Sequence, residues 1–589
     1  MPVPPGIRYL SQRSPYLLGP PTLFYIAYSF AVEHVNEFQR WHPALVVLGC
    51  VMSLPGALTL WCAYESYVNR RDAWANGAVL PPSVGGYWPG NLPRLMKTAG
   101  DFKNGYVGNE IQKVTKEYGN TFNFRTLFTD RIFTVEPENI KSVLASQFND
   151  FEKGPVVIRI LSGLFGTGVF NSDGDMWKFH RQMTRPFFSK ERITDFEIFD
   201  IHATETMHKL KSRLKEGFPV DFQDLSGRYT LDSATSYLFG KEVGTLSASL
   251  AYPHNSPKHI PLQQSSHPAD QFLYAFQETQ NISAYRVRFG EEWQLGEFWK
   301  DRNVPHLEVI DGFIEPILRD AVRKKQTGEK VEKGGEAETT LLDYLVTKTE
   351  DHTTLRDETF NLLVAARDTT SSLLTFVVYM LAEHPDVLRR LREEILDQVG
   401  PTNMPTYDDV RVMKFLRAVL NETLRFFAPV PFNIRTCKNA TLWASKVPGE
   451  KPMFIPAGTR IPYSVLIMHR REDLWGPDAG KWDPDRFIDE RVERLTANPF
   501  IFLPFNAGPR ICLGQQFAYN EASFFLVRLL QNFSEISLAL DAVPPEHRPR
   551  DEWKDGGEGF HSGQKVWARA HITMYASGGL WVNMKEASY

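Results

Sequence analysis

Phe505-Asn506-Ala507-Gly508-Pro509-Arg510-Ile511-Cys512-Leu513-Gly514 sets one cysteine in a glycine-bounded loop, with an arginine two residues before it and an apolar run after it. Five of these positions (Phe, Gly, Arg, Cys, Gly) form a fixed pattern. At roughly one chance in twenty per position and about 600 starting points, its accidental occurrence is on the order of 10⁻⁴. A cysteine ligates a metal only as thiolate, so its surroundings must favour the anion. Gly508 and Gly514 let backbone approach the sulfur with no side chain in the way. The run from Gln515 to Phe533 reads as a helix, which places Cys512 just before a helix N-terminus, where partial positive charge favours an anion. Such a loop can hold a thiolate under a haem iron, and Arg510 is placed to meet an anion such as a haem propionate.

The decapeptide resembles the haem-binding loop of the cytochrome P-450 monooxygenases. That resemblance implies a mainly α fold with small β-sheets, a Cys-ligated haem b with Cys512 as axial ligand, and Phe505 and Gly514 beside the haem. Thiolate ligation favours O–O cleavage. Other stretches bear the resemblance out along the chain. Phe360 to Leu381 is apolar nearly all round and reads as a buried helix ending before Pro385. Inside it, Ala365-Ala366-Arg367-Asp368-Thr369-Thr370 carries polar groups that need partners. A Thr in a helix can satisfy itself on the i−4 carbonyl, so a purely local reading exists. The resemblance gives Thr369 the task of hydrogen-bonding oxygen at the iron and Asp368 that of delivering protons, with Ala365 facing substrate. Ala366 stands where the family commonly has glycine.

Glu422-Thr423-Leu424-Arg425 puts opposite charges at i and i+3 on one helix face among Phe415, Leu416, Val419, Leu420, Phe426 and Phe427. A buried pair needs further partners, and Pro484-Asp485-Arg486-Phe487 resembles the family segment that supplies one. Glu422, Arg425 and Arg486 are therefore read as a structural lock. In Pro429-Val430-Pro431-Phe432-Asn433-Ile434-Arg435, the resemblance makes Arg435 a propionate ligand and turns Val430 and Asn433 toward substrate. Trp177-Lys178-Phe179-His180-Arg181 resembles the helix whose Trp and Arg bind propionates, a task that suits the arginine fork. The basic run Lys178, Arg185, Lys190 and Arg192 is either a solvated face or a docking patch for an acidic reductase.

The chain has 589 residues, 42% hydrophobic, with a net charge of −4, enough for a large core and without the concentrated basic face of a nucleic-acid binder. Its four cysteines form no CxxC or Cys/His cluster, which argues against a zinc site or a disulfide framework. Ala44 to Tyr64 is uncharged and long enough to cross a bilayer, and Arg70 and Arg71 after it favour a cytosolic C-terminal side. Tyr16 to Val32 is shorter and contains Pro20 and Pro21. It would be a second span, completing a hairpin with both ends cytosolic, or an interfacial segment beside a single span. A cleaved signal peptide fits poorly.

The expected organisation is a membrane anchor over 1–79, a Pro/Gly-rich connector over 80–93, and a haem-thiolate domain over 94–589 with no flavin or nicotinamide module. Ser247–Pro268, Thr327–Thr339 and Pro544–Gly563 read as solvated insertions. The implied setting is the endoplasmic reticulum membrane with the domain cytosolic, and the implied partner is NADPH–cytochrome P-450 reductase. Three strings resemble the fungal n-alkane and fatty-acid hydroxylase branch: Gly166–Gly174, Ala366–Thr370 and Met468–Gly476. They imply hydroxylation of a long apolar chain near its terminus. Alternatives are oxidation of aromatic xenobiotics, a reductase-independent haem-thiolate isomerase, and a non-catalytic haem-binding scaffold.

Overall fold

The computed structural model describes residues 3–35, 38–85, 91, 93, 96, 97, 100, 104–126, 128–188, 196–327, 340–445, 447–554 and 559–588. The expected insertion at 328–339, part of the connector, and Lys190 and Arg192 lie outside them.

The centre is the helix His352–Glu383, buried along almost its whole length between Leu355 and Leu381. Neighbours cover it on every side, so polar residues such as Asp357, Asn361 and Asp368 are buried along with its apolar ones. Its largest partner is the helix Phe222–Phe239, itself almost wholly buried. The helices Lys414–Phe426 and Gln515–Asn532 complete the packing around its second half. Asp351 caps its start by accepting from the Thr354 N–H, and His384-Pro385 ends it. The thiolate-loop helix runs Gln515–Asn532, and Phe533 opens a strand rather than continuing it.

A five-stranded sheet flanks this helical body in the order Thr121–Asn123, Ile132–Thr134, Arg460–Ser464, Phe432–Cys437, Phe151–Glu152. Arg435 sits opposite Ile461 in its antiparallel centre. The insertion at 247–268 is not the solvated loop expected. Arg213 donates to the carbonyls of Leu250 and Ala251, His254 Nδ1 meets the Ala542 carbonyl, and Ala248 and Leu250 are buried.

The apolar N-terminal run extends into a helix over Pro43–Ala75. Among the described residues it is the one helix long and apolar enough to cross a membrane, and no part of its apolar window is buried. The Tyr16–Val32 run lies inside a continuous helix, Pro5–His34, which carries Pro15, Pro20 and Pro21 and packs on the first. Its opening turns touch the globular part. The Gly6 N–H donates to the Phe298 carbonyl at 2.9 Å, and Arg13 pairs with Glu291 at 2.9 Å.

Candidate active site

A cavity of about 660 Å³ lies between the central helix and the cysteine loop. Cys512, Phe505, Gly514 and Arg510 line one side, and Ala365, Ala366 and Thr369 the other. Trp177, Arg181, Arg435, Val430 and Asn433 close the rim.

The loop is held by its backbone. The Cys512 N–H donates to the Phe505 carbonyl at 3.0 Å, closing the turn. Asn506 adopts a left-handed φ of 59°, and its Oδ1 accepts from the Tyr463 hydroxyl at 3.0 Å. Gly508 has φ 67°, and a Cβ there would fall 1.9 Å from the Leu144 carbonyl oxygen, so only glycine fits. Cys512 has an exposed surface, but it opens into a site walled by protein. Enclosure pushes the thiol pKa up, and the Gly514 N–H and the nearby Arg181 guanidinium counter it. The protein alone does not hold the thiol ionised; a metal cation at the sulfur would.

The rim carries more positive charge than it neutralises. Arg510 pairs with Asp173 at 2.7 Å and lies over the Trp177 ring, but its Nε is buried without a partner. Burial and the neighbouring Arg435 lower its pKa to about 10. Lys153, which sequence reasoning passed over, lines the same cavity. Burial first, then Arg435 and Arg510, bring it down to about 7. Arg181 also faces the site and is lowered chiefly by burial. Four cations therefore converge with Asp173 as the one close carboxylate among the described residues, leaving room for two more acids. A haem, apolar in body with two propionates on one edge, fits a largely apolar cavity with such a rim.

The two oxygen-side residues part company. Thr369 faces the cavity, with its hydroxyl donating to the Ala365 carbonyl at 2.7 Å, the local bond that a helical Thr can make. Asp368 points away, into a second, polar cavity of about 500 Å³ shared with Arg367, Arg228 and Asp270. It pairs with Arg367 at 2.5 Å and keeps its other oxygen unpartnered. His571 lines both cavities. Burial lowers its pKa to about 4, against the pull of Asp368, so it is neutral at physiological pH.

Behind the loop, Arg425 and Glu422 form a fully buried fork, Nε and Nη2 each 2.7 Å from a carboxylate oxygen. Arg486 stands 3.6 Å from Glu422 but bonds more closely to Asp478, at 2.8 Å. The trio is assembled, with Asp478 as an unforeseen fourth member. Glu521, also unforeseen, is buried on the helix that follows the loop, with only the Ser233 and Thr370 hydroxyls close to its carboxyl. Burial raises its pKa to about 8, eased only in part by the Ser233 and Thr370 hydroxyls. No motif in the sequence marks Lys153 or Glu521; each matters through what surrounds it.

A family model described as "Cytochrome P450" matches residues 82–550. Cytochrome P450 52E1 of Candida apicola is 35% identical over 474 residues, covering 78% of this chain and 86% of that protein. Cytochrome P450 52A3-A of Candida maltosa is 34% identical, covering 77% and 85%. Cytochrome P450 monooxygenase himC of Aspergillus japonicus is 36% identical, covering 86% and 88%.

Proposed function

The chain belongs to the cytochrome P450 family, a haem-thiolate monooxygenase family, and on that premise we propose that it hydroxylates a long apolar chain near its terminus. The observation that carries this reading is the cavity itself. It is walled mainly by side chains such as Phe133, Phe165, Leu161, Leu362 and Ile434 and is continuous with the face of Cys512. Binding there comes from burying methylenes, at roughly 0.8 kcal/mol each.

When bound, the haem supplies oxygen activation and transfer of one oxygen atom into a C–H bond. Cys512 holds it through sulfur, with the Gly514 N–H directed at the thiolate. Arg181, Arg435, Arg510 and Lys153 neutralise the two propionates, and Trp177 stacks against Arg510. The apolar walls exclude bulk water. Thr369 positions and passes a proton at Oγ1. To do so its hydroxyl leaves the Ala365 carbonyl, a turn about χ1 between the two rotamers Thr keeps in helices. Asp368, on the polar side of the same turn, supplies that proton from the second cavity once Arg367 releases it.

The helix Pro43–Ala75 anchors the chain, and the domain lies on the cytosolic face of the endoplasmic reticulum, where NADPH–cytochrome P450 reductase delivers electrons. Lys178 and Arg185 supply its basic docking face. The test is turnover by membrane-bound holoenzyme with reductase and NADPH, offered hexadecanoate or a polycyclic aromatic, with products located by mass spectrometry. Terminal or near-terminal hydroxy acids are expected. Oxidation of the aromatic with none of the acid would overturn the reading in favour of xenobiotic oxidation.

A further inference from the structure

Three parts of the chain meet at Glu291, in the turn Gly290–Glu292 that follows the helix Pro268–Phe289. Arg159 of the helix Pro155–Phe165 pairs with one of its oxygens, and Arg13 of the N-terminal helix pairs with the other at 2.9 Å. The two globular helices pack on each other, and both line the cavity above the cysteine loop, through Leu161 and Phe165 on one and Ala284 and Val287 on the other. A second contact lies beside Arg13. Gly6 is the only buried residue of the N-terminal helix, and its N–H donates to the Phe298 carbonyl at 2.9 Å. A Cβ on Gly6 would fall 2.0 Å from the Phe298 ring, so the two chains touch without a side chain between them. The segment that takes both contacts moves with the cavity wall. Arg286, buried on Pro268–Phe289, bonds Glu297 through two nitrogens, pairs with Asp301 at 2.6 Å and lies over the Trp293 ring at 3.8 Å. Its neighbour in sequence, Val287, faces the cavity.

We propose that the N-terminal helix is a strap on the cavity. Through Gly6 and Arg13 it holds residues 290–301, and with them the helix Pro268–Phe289, against Pro155–Phe165. A ligand wider than the closed seam passes only when these two helices part. Their own tie, Arg159–Glu291, is an exposed pair, with the Arg159 side chain 51% exposed, and such pairs contribute little. The strap adds a second ion pair and a close-packed contact, both from a helix that packs on the apolar span Pro43–Ala75. Because Arg13 and Arg159 share one carboxylate, the seam and the strap loosen together. The proposal goes beyond the reading of the substrate above: it concerns how fast ligands pass, whatever they are.

The test is rapid mixing of full-length ferric holoenzyme in lipid vesicles with dodecylimidazole. Its ring nitrogen binds haem iron and shifts the Soret band, so the readout does not depend on the natural substrate. Arg13→Gln should speed both entry and exit about two- to fivefold, the range of an exposed ion pair. The ratio of the two rates, and so the affinity, should stay within about twofold. Gly6→Val drives Phe298 from its seat and should speed both rates about fivefold or more. Glu291→Gln loosens strap and seam at once and should exceed Arg13→Gln; in that background Arg13→Gln should add nothing further, as expected of two partners in one pair. Imidazole itself, small enough to pass the closed seam, should change by less than about twofold in every variant. Unchanged dodecylimidazole rates in Arg13→Gln and Gly6→Val overturn the strap. So do equal accelerations with imidazole, and so do additive effects of Arg13→Gln and Glu291→Gln. If Gly6→Val fails to accumulate, the Arg13 and Glu291 variants decide alone.

Discussion

Arg425 and Arg510 lie on either side of the cysteine loop and keep opposite accounts. Arg425 has every donor answered: two bonds to Glu422 and others to the carbonyls of His469, Ala479 and Lys481. Arg510 shares its corner with Lys153, Arg181 and Arg435; it pairs with Asp173 and donates to the Ser172 carbonyl, but its Nε is buried without a partner. Arg425 is satisfied as folded. The cluster around Arg510 is complete only with an acidic ligand in place. Satisfaction of donors, rather than burial or residue type, separates the arginine that holds the fold from the arginines that hold a cofactor.

The sharpest way to probe the second cluster is to remove what it serves. Cys512→Ala should abolish turnover and the strongly red-shifted Soret band of the reduced, carbon-monoxide-bound state, while circular dichroism stays that of the folded protein. Breaking the first cluster should act on the fold instead. Glu422→Ala strands a buried guanidinium and should cost about 3–5 kcal/mol, seen as a lower denaturant midpoint or as failure to accumulate. Arg435→Met divides the two clusters most directly. Haem retention should fall by about tenfold, the loss of one charge-assisted bond. The haem-free protein should unfold at a higher midpoint, because a repelling cation has gone. A lower midpoint in the haem-free form would mean that the rim, like the lock, is satisfied without ligand.

Thr369→Ala removes one hydroxyl that bonds within its own helix, so stability should shift by less than about 1 kcal/mol. The effect belongs in coupling, with oxygen consumed as peroxide rather than product; unchanged coupling would leave Thr369 only its local bond. Glu521 acts through pH alone. Its folded pKa of about 8 lies above the ordinary 4.5, so the folded state keeps a proton that the unfolded chain releases. Stability should therefore decline as pH rises from about 4.5 to 8, and Glu521→Gln should flatten that decline in pH-dependent unfolding curves.

Much of this was legible in the sequence because it is written in local pattern. The central helix, the thiolate loop and the Glu422–Arg425 pair are each set by spacing within one segment, and each stands where its spacing put it. The cavity residues Ala365, Thr369, Val430 and Asn433 were reached through resemblance and do line one space. Lys153 was not legible. It has no neighbour in sequence that marks it, and its charge becomes unusual only when the fold buries it and brings Arg435 and Arg510 beside it. Asp368 shows the same limit differently. Adjacent helix residues diverge by about 100°, so the Asp next to Thr369 faces the other cavity.

Gly508 has a further bearing on how freely this protein can change. Its φ of 67° and the Leu144 carbonyl pressed where a Cβ would stand close the position to every other residue. The loop that bears the sulfur is thereby indexed to the turn Ser142–Ser146. A lineage could vary the cavity walls to suit new substrates, but any drift in that turn would change the height of Cys512. The segment around Leu144, far from any substrate, inherits the mutational intolerance of the metal ligand.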